Sequence, residues 1–335
     1  MKRFFLKTVL AAAALATLAT AGMAQAQTRT IKFVNQNAKG HPIVMGMEKF
    51  GEIVEAKSGG RFKVNIFPGG ALGSDQANLS AMQGGTLEMA SMNSGIFASL
   101  VKDFAIYDFP FLFANAREAD AVVDGPFGKG LHDKLQEKGL VGLAYYELGF
   151  RNITNGKRPI NKVEDIAGLK LRVIPNPINV DWVSALGANP TPLPFPELYA
   201  ALEQKAVDGQ ENPLATIQGA KLFEVQKHLA ITNHQYNPQS VVVSKKFWDT
   251  LSADDKKLLQ DAAAESARYQ REQSRSAQAS TLESLKKSGM QVTELPPAEV
   301  AKLREKMKPV LAKHTASVGE ATVSAMMSEL DKLRK

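Results

Sequence analysis

Short apolar strands and amphipathic helices alternate along the first 150 residues, and this alternation constrains the fold more than any other feature. Residues 30–34 form a short strand-like run, and residues 41–56 then carry apolar side chains at helical spacing. The same patterns predict strands at 62–67, 87–91 and 140–146 and helices at 74–83 and 115–138. Such alternation is typical of an α/β layer architecture with a mostly parallel sheet.

A second unit begins near Arg151, as the length of the chain also predicts. It combines a strand at 168–173, a proline-rich turn at 190–196, a short segment at 206–210, a returning strand at 239–244, and helices at 179–186, at 197–204 and from 213. We therefore predict lobe 1 at 27–150, joined by a return segment at about 239–260, and lobe 2 at 151–238. Charged, alanine-rich residues 252–335 predict lobe-spanning and C-terminal helices. A ligand cleft is expected between the lobes.

The first 26 residues are typical of a secretory signal peptide. Three cations precede a small apolar run at 9–21, and Ala24-Gln25-Ala26 fits the cleavage rule. This predicts a periplasmic protein that begins at Gln27. No later run approaches the ~18 apolar residues of a membrane-spanning helix, so the protein is not expected to span a membrane. The chain has no cysteine, which excludes disulfides.

Charge and motif patterns exclude several function classes. The formal net charge is +7, and acids interleave with the cations, so no nucleic-acid surface is predicted. The five histidines have no metal-ligand spacing, and no cofactor motif or G-x-S-x-G elbow occurs. "PGGALG" at 68–73 predicts a tight turn, and "GPFGKG" at 125–130 is interpreted as a loop, because both lack phosphate-binding spacing.

Three polar residues at strand ends or turns are candidates for ligand binding. Arg172 lies in "GLKLRVIPNP", where apolar and cationic residues alternate before two prolines stop the strand. Arg151 lies in "LGFRNITN", and Asn212 follows a glycine turn in "VDGQENP". A single strand arginine is more often a solvated cation, so the prediction of a site depends on the three together.

In combination these motifs resemble the substrate-binding proteins of tripartite ATP-independent periplasmic (TRAP) transporters, of the DctP type. The resemblance is carried in order by "GGALGSDQANLSAMQGGTLEMA", "DFPFLF", "FRNITNGKRPI", "DIAGLKLRV", "ALGANPTPLPFPELYAALEQKAVDGQENP" and "EVQKHLAITNH". It implies an α/β two-lobed periplasmic binding protein fold, in which each lobe is a mostly parallel sheet flanked by helices and long C-terminal helices bridge the lobes. It further implies a receptor, not an enzyme, that delivers a small organic acid anion to small and large TRAP membrane subunits.

The resemblance also assigns roles to four residues. Arg172 matches the arginine that holds the ligand carboxylate, and Arg151 and Asn212 match the family's other motif residues. Phe195 matches the phenylalanine that packs against bound ligand. A guanidinium suits this role, because its fork donates two parallel hydrogen bonds to a carboxylate. The ligand's charge would then favour closure of the lobes.

The remaining candidate residues favour a ligand that carries one carboxylate and several hydroxyls, since amide side chains form good hydrogen bonds with hydroxyls. Asn93 and Ile96 stand where sialic-acid binders of the family carry an acid and an arginine, which disfavours sialic acid. A C4-dicarboxylate requires a second cation, for which Lys39 or His41 is the candidate. We therefore predict a sugar acid, with a uronate preferred and an aldonate next. The further cleft candidates are Gln36, His41, Asp75, Asn93, Asn176 and Gln239.

Three alternatives remain open from the sequence. The first is a receptor of the same family for a C4-dicarboxylate or a keto acid. The second is an exported sugar-acid lyase with Glu147, Asp208 or Glu211 as its base. The third is a binding protein of an ATP-driven importer.

Overall fold

The computed structural model describes residues 28–335, so the predicted signal peptide lies outside the described residues. Nine strands form one mixed sheet. They are β1 (Arg29–Val34), β2 (Phe62–Phe67), β3 (Met89–Asn93), β4 (Leu140–Asn155), β5 (Lys170–Val173), β6 (Asn189–Pro192), β7 (Gly209–Asn212), β8 (His228–Ser244) and β9 (Gln291–Glu294). The strand order is β2-β1-β3-β8-β4-β7-β5-β6, and β9 pairs with β8.

The sheet has two parallel ends joined by two long antiparallel strands. β1 runs parallel to β2 and β3, and β5 runs parallel to β6 and β7. β4 and β8 pair with each other in both ends of the sheet. Between the two ends, their register shifts at Glu147/Gly149 and again at Arg151/Ile153. The prediction of an α/β fold with parallel strands is confirmed. The predicted strands at 140–146 and 239–244 were too short, because each is one part of a strand that continues through the join.

We call β1, β2 and β3 with residues 140–147 and 238–244 the first sheet half. The second sheet half consists of β5, β6, β7 and β9 with residues 152–155 and 228–231. The irregular backbone between the two halves includes Gly149, whose φ of 110° suits glycine. This irregular stretch is where β4 and β8 pass from one half to the other.

Twelve α-helices cover the described sheet. They are α1 (Pro42–Lys57), α2 (Asp75–Gly84), α3 (Ala116–Val123), α4 (Pro126–Lys134), α5 (Pro177–Ala185), α6 (Leu198–Glu203), α7 (Leu214–Gly219), α8 (Lys245–Trp248), α9 (Ala253–Ser276), α10 (Gln278–Lys287), α11 (Pro297–Val318) and α12 (Glu320–Leu333). Side chains cap several of them at the N-terminus, including Ser74 on α2 and Ser252 on α9. Most predicted helices are confirmed within two or three residues.

Two local predictions were wrong. Residues 125–130 are not a loop, because α4 begins at Pro126. Proline suits the first position of a helix, since the N–H that it lacks would have no partner within the helix there. Residues 189–192 are not a turn but form β6. β6 is the edge strand of the sheet, so Pro190 and Pro192 can be accommodated without breaking an internal ladder. The "PGGALG" turn is confirmed, with Gly69 and Gly70 at positive φ.

The C-terminal helices contact both sheet halves. α9 packs on α1 and β4, whereas α10 packs on α7. The His314 ring on α11 lies 2.6 Å from an Asp181 carboxylate oxygen on α5, and Arg334 after α12 pairs with Glu118 on α3 at 2.8 Å. Within residues 28–335, no helix combines the length and apolar character that a membrane crossing needs.

Candidate functional site

A polar cavity of about 40 Å³ lies between the two sheet halves, at the carboxyl ends of β1, β3, β5 and β7. This is the edge at which ligands bind in open α/β sheets. Its volume accommodates a few water molecules. The polar lining consists of Asn35, Gln36, Asn37, Asp75, Gln76, Asn93, Arg151, Arg172, Asn212, Thr216 and Gln239, and the apolar lining of Ile96, Leu148, Ile174, Pro175, Pro194 and Phe195.

Arg172 supplies a positive charge to the cavity that has no ion-pair partner among the described residues. Its side chain is 2% exposed, and its Nε donates to the Leu193 carbonyl at 2.8 Å. Its Nη1 has no hydrogen-bond partner, and no carboxylate of residues 28–335 lies within ion-pair distance. Burial lowers the pKa of Arg172 to about 10, so the side chain stays charged at neutral pH. The guanidinium carbon lies 5.8 Å from the centre of the Phe195 ring, which adds a cation–π contact.

Arg151 is also buried, but an acid neutralises it. Its Nη2 donates to Glu211 Oε1 at 2.8 Å, and its Nε pairs with Glu211 Oε2. His234 Nε2 lies 3.3 Å from the same Oε2. This leaves Arg151 Nη1 without a partner on the cavity side. Arg151 therefore offers the cavity a hydrogen-bond donor but little net charge.

Glu211 stays ionised over the whole neutral and mildly acidic range. Burial alone would raise its pKa, but the charge of Arg151 and the hydrogen bonds from His234 and Arg151 outweigh burial and lower the pKa to about 2. The ion pair is thus a permanent part of the folded protein at physiological pH. Glu211 acts here as the partner that fixes the orientation of Arg151.

The low pKa of Glu211 predicts a specific loss of stability in acid. Because folding lowers this pKa from 4.5 to about 2, the stability from its ionised form is complete above pH 4.5 and is lost as the pH falls toward 2. We expect the free energy of unfolding of Glu211→Gln to lie below that of the wild type at pH 7, and the gap to narrow between pH 4.5 and 3. Urea unfolding at each pH measures the gap. A gap that stays constant with pH would contradict this assignment.

The amides of the cavity are partly satisfied and partly free. Gln36 donates to the Gly73 carbonyl at 3.0 Å, but its Oε1 has no partner. Asn93 accepts from the Gly95 N–H at 2.9 Å, but its Nδ2 has no partner. Buried polar atoms are normally hydrogen-bonded, so these free atoms indicate missing partners. Together with the two Nη1 atoms they offer three donors and one acceptor, which suits an anion that also carries hydroxyls.

Asp75 places one acid in this mostly donor-lined cavity. It is partly buried in the first turn of α2. Burial raises its pKa to about 6, although Gln36 and the charge of Arg172 act in the opposite direction. An ionised Asp75 accepts hydrogen bonds from hydroxyls and repels a carboxylate. It therefore disfavours a second negative charge on this side of a ligand.

The structure brings most of the predicted site residues together. Those that line the cavity are Arg172, Arg151, Asn212, Phe195, Gln36, Asp75, Asn93 and Gln239. His41 does not line it, because its ring caps α1 and contacts the Thr216 hydroxyl at 3.2 Å. Asn176 does not line it either, because it caps α5 and donates to Asp108. Lys39 is exposed and lies outside the lining.

Asn35, Asn37 and Thr216 are among the polar residues of the lining that were not predicted as binding residues. Asn35 and Asn37 flank Gln36 directly after β1, so the polar run at the end of an apolar strand was a usable signal. Thr216 lies in a short helix and carried no such signal. The three candidate bases do not line the cavity: Glu147 pairs with Arg275, Asp208 with Lys157, and Glu211 with Arg151.

The two sheet halves and the charged cavity between them define a two-lobed periplasmic solute-binding protein. The chain belongs to the DctP family, described as bacterial extracellular solute-binding proteins of family 7, whose model matches residues 33–317. It is thus a periplasmic TRAP solute-binding protein that binds small organic acids.

Three relatives illustrate the similarity. The 2,3-diketo-L-gulonate-binding periplasmic protein YiaO of Escherichia coli is 35% identical over 84% of each chain. The sugar acid binding protein DctPAm of Advenella mimigardefordensis, solved with galactonate, is 43% identical with a TM-score of 0.90 and 91% and 99% coverage. A TRAP solute-binding protein of Ochrobactrum anthropi, solved with its C-terminus in the ligand-binding pocket, is 54% identical with a TM-score of 0.82 and 92% and 97% coverage.

Proposed function

We propose that this receptor binds a sugar acid with a single carboxylate, clamps that carboxylate with Arg172, and delivers the ligand to small and large TRAP membrane subunits. The observation that carries the proposal is the buried guanidinium of Arg172, which has no ion-pair partner among residues 28–335 and an unpartnered Nη1 in the cavity. A buried unpaired charge is costly, so a bound anion would be strongly favoured there.

The carboxylate clamp also provides a mechanism for closing. Charge-assisted hydrogen bonds contribute about 1.5–3 kcal/mol each, so two of them supply a large part of the ~8 kcal/mol of a micromolar complex. In an open cleft, water would solvate Arg172, whereas closure without an anion would bury its charge unpaired. The anion therefore favours the closed arrangement of lobe 1 (27–150) and lobe 2 (151–238). The closed surface is what the membrane subunits would recognise.

The free amide atoms and Asp75 support a hydroxylated ligand. A ligand hydroxyl can donate to Gln36 Oε1 and another can accept from Asn93 Nδ2. Asp75 accepts hydrogen bonds from hydroxyls, whereas it repels a second carboxylate. Galactonate and 2,3-diketo-L-gulonate, the acids named for two of the relatives, each have one carboxylate. The preference for a uronate within this class stays a prediction. A C4-dicarboxylate is the second candidate, because Arg151 offers a second unpartnered guanidinium nitrogen.

A thermal-shift comparison of four probes tests the ligand class. We expect D-galactonate or D-galacturonate to raise the melting temperature by roughly 5 °C at about 100 times Kd, where binding adds about 2.7 kcal/mol. D-galactose, which lacks the carboxylate, should give no shift, and succinate should give a smaller shift than the sugar acids. Isothermal titration calorimetry then measures Kd for each probe.

The outcomes separate the candidates. A larger shift with succinate than with any sugar acid would support the dicarboxylate receptor, and a shift with galactose alone would refute the carboxylate clamp.

A separate experiment tests the lyase alternative. The protein is incubated with a stoichiometric amount of sugar acid, and the acid is then analysed by mass spectrometry. A receptor returns the acid with its mass unchanged, whereas an elimination product of lower mass would establish an enzyme.

A further inference from the structure

Asp108 is a fully buried carboxylate that is bound only by neutral side chains. It ends the 3₁₀ segment Lys102–Asp108, which follows β3 in the first sheet half. Its side chain is 0% exposed, and no cation of residues 28–335 lies within ion-pair distance. It does not line the cavity. An acid at this depth needs hydrogen-bond partners, since an unsatisfied buried charge is strongly unfavourable.

Four side-chain amides from different parts of the fold satisfy this carboxylate. Asn176 and Asn179 donate to its Oδ2 at 2.7 and 3.3 Å. Gln235 and Asn237 donate to its Oδ1 at 3.1 and 3.2 Å. Two donors for each oxygen match the acceptor capacity of an ionised carboxylate. The arrangement thus forms one complete polar cluster.

The cluster connects the two sheet halves. Asn176 and Asn179 lie at the start of α5, which follows β5 of the second half, whereas Asp108 ends a segment that follows β3 of the first half. Gln235 and Asn237 lie on β8 where that strand passes between the halves. On the side of the first half, a Cβ placed on Gly95 would lie 2.1 Å from Asp108 Oδ2, so only glycine fits beside this carboxylate.

The cluster is also near the ligand clamp in sequence. Asn176 lies four residues after Arg172, and Pro175 between them lines the cavity. The Asn176 side chain caps α5 through Oδ1, and its Nδ2 donates a hydrogen bond to Asp108. A contact that fixes Asn176 against the first half therefore fixes the end of the strand that carries Arg172.

From this geometry we propose that Asp108 and Asn176 form a latch that holds the two halves closed around the ligand, and that both are positioning residues which do not touch the ligand. This inference rests on the proposed function, since it assumes that the halves close on an acid. It gives Asn176 a role different from the ligand contact expected from the sequence. Hydrogen bonds to a charged group are strong enough for such a latch.

Two substitutions of Asn176 remove the latch but keep the helix cap. Asn176→Ser and Asn176→Thr each retain a capping hydroxyl, but their short side chains cannot reach Asp108. Asn115→Ser is the matched control, because Asn115 caps α3 on the exposed surface with the same type of bond. With D-galactonate as the probe, stopped-flow fluorescence measures the association and dissociation rates.

We expect Asn176→Ser and Asn176→Thr each to raise the dissociation rate about 10-fold, with association changed by less than about 3-fold. Asn115→Ser should leave both rates unchanged. A lower melting temperature with unchanged dissociation would indicate a merely structural role and would overturn the latch. A wild type that binds none of the probe acids would instead refute the proposed function.

A second measurement tests the latch in the ligand-bound protein, where the halves are closed. Hydrogen exchange of the protein saturated with D-galactonate is compared in peptides that cover 94–108 and 176–183, which lie on either side of the contact. We expect Asn176→Ser to raise exchange in both peptides, because it releases a contact between them. Faster exchange confined to 176–183 would overturn the latch, since only the mutated helix would then have responded.

Discussion

Replacement of Arg172 by alanine is expected to abolish detectable binding of every acid that the wild type binds. The substitution removes the cation of the cavity that has no ion-pair partner among the described residues, and with it the two charge-assisted hydrogen bonds proposed for the carboxylate. A loss of about 3 kcal/mol or more, which is over 100-fold in Kd, is the expected size. Isothermal titration calorimetry with D-galactonate measures it.

The same variant should remain folded. Arg172 has no ion-pair partner among the described residues, so its removal leaves no opposite charge stranded. We expect the melting temperature of ligand-free Arg172→Ala to equal or exceed that of the wild type. Arg117→Ala, in which an exposed arginine of α3 is truncated, is the control and should bind normally. Normal binding by Arg172→Ala would refute the clamp.

Arg172→Lys separates charge from geometry. Lysine keeps the positive charge but cannot donate two parallel hydrogen bonds from a planar fork. We expect its affinity to lie well below that of the wild type, and above that of the alanine variant. Equal affinities for lysine and arginine would indicate that the site senses charge alone.

Removal of the Glu211 carboxylate should produce the second large effect, a loss of stability. Glu211→Ala leaves Arg151 buried at 0% exposure without its partner, and breaking such a pair costs about 3–5 kcal/mol. This corresponds to a fall in melting temperature of roughly 5–10 °C. Differential scanning calorimetry of the ligand-free protein at pH 7 measures it.

An exposed ion pair provides the control for this loss. Glu52 pairs with Lys49 at 3.2 Å, but its side chain is 68% exposed, so Glu52→Ala should change stability by less than about 0.5 kcal/mol. The double variant Arg151→Met with Glu211→Leu should lose less than the two single losses combined, because no charge is left unpaired. Strictly additive losses would show that the pair is not coupled.

The sequence predicted the elements better than it predicted their connection. The patterns around β1, β2 and α1 were read correctly because local periodicity determines them. The length of β4 and β8 was missed, because residues 148–155 and 228–237 mix polar with apolar side chains without a clear alternation, although most of them are buried in the fold. Burial of polar residues is a tertiary property that no local pattern reveals.

The candidate site shows the same division. The cavity contains Arg172 and Asn212 because strand ends in an α/β sheet meet at one edge, which the topology determines. Asn176 also follows a strand end, yet its Oδ1 caps α5 and its Nδ2 donates to Asp108, so neither atom is left for the cavity. Glu211 was recognised as an acid near the site, but only the pairing of β4 with β7 shows that it neutralises Arg151.

A crystal structure of the wild type with D-galactonate would show directly whether Arg172 clamps the acid. We predict that both carboxylate oxygens lie about 2.7–3.0 Å from nitrogens of the Arg172 guanidinium, with hydroxyls toward Gln36 and Asn93. A complex in which the carboxylate binds elsewhere in the cavity, while Arg172 contacts only water or a hydroxyl, would contradict this prediction.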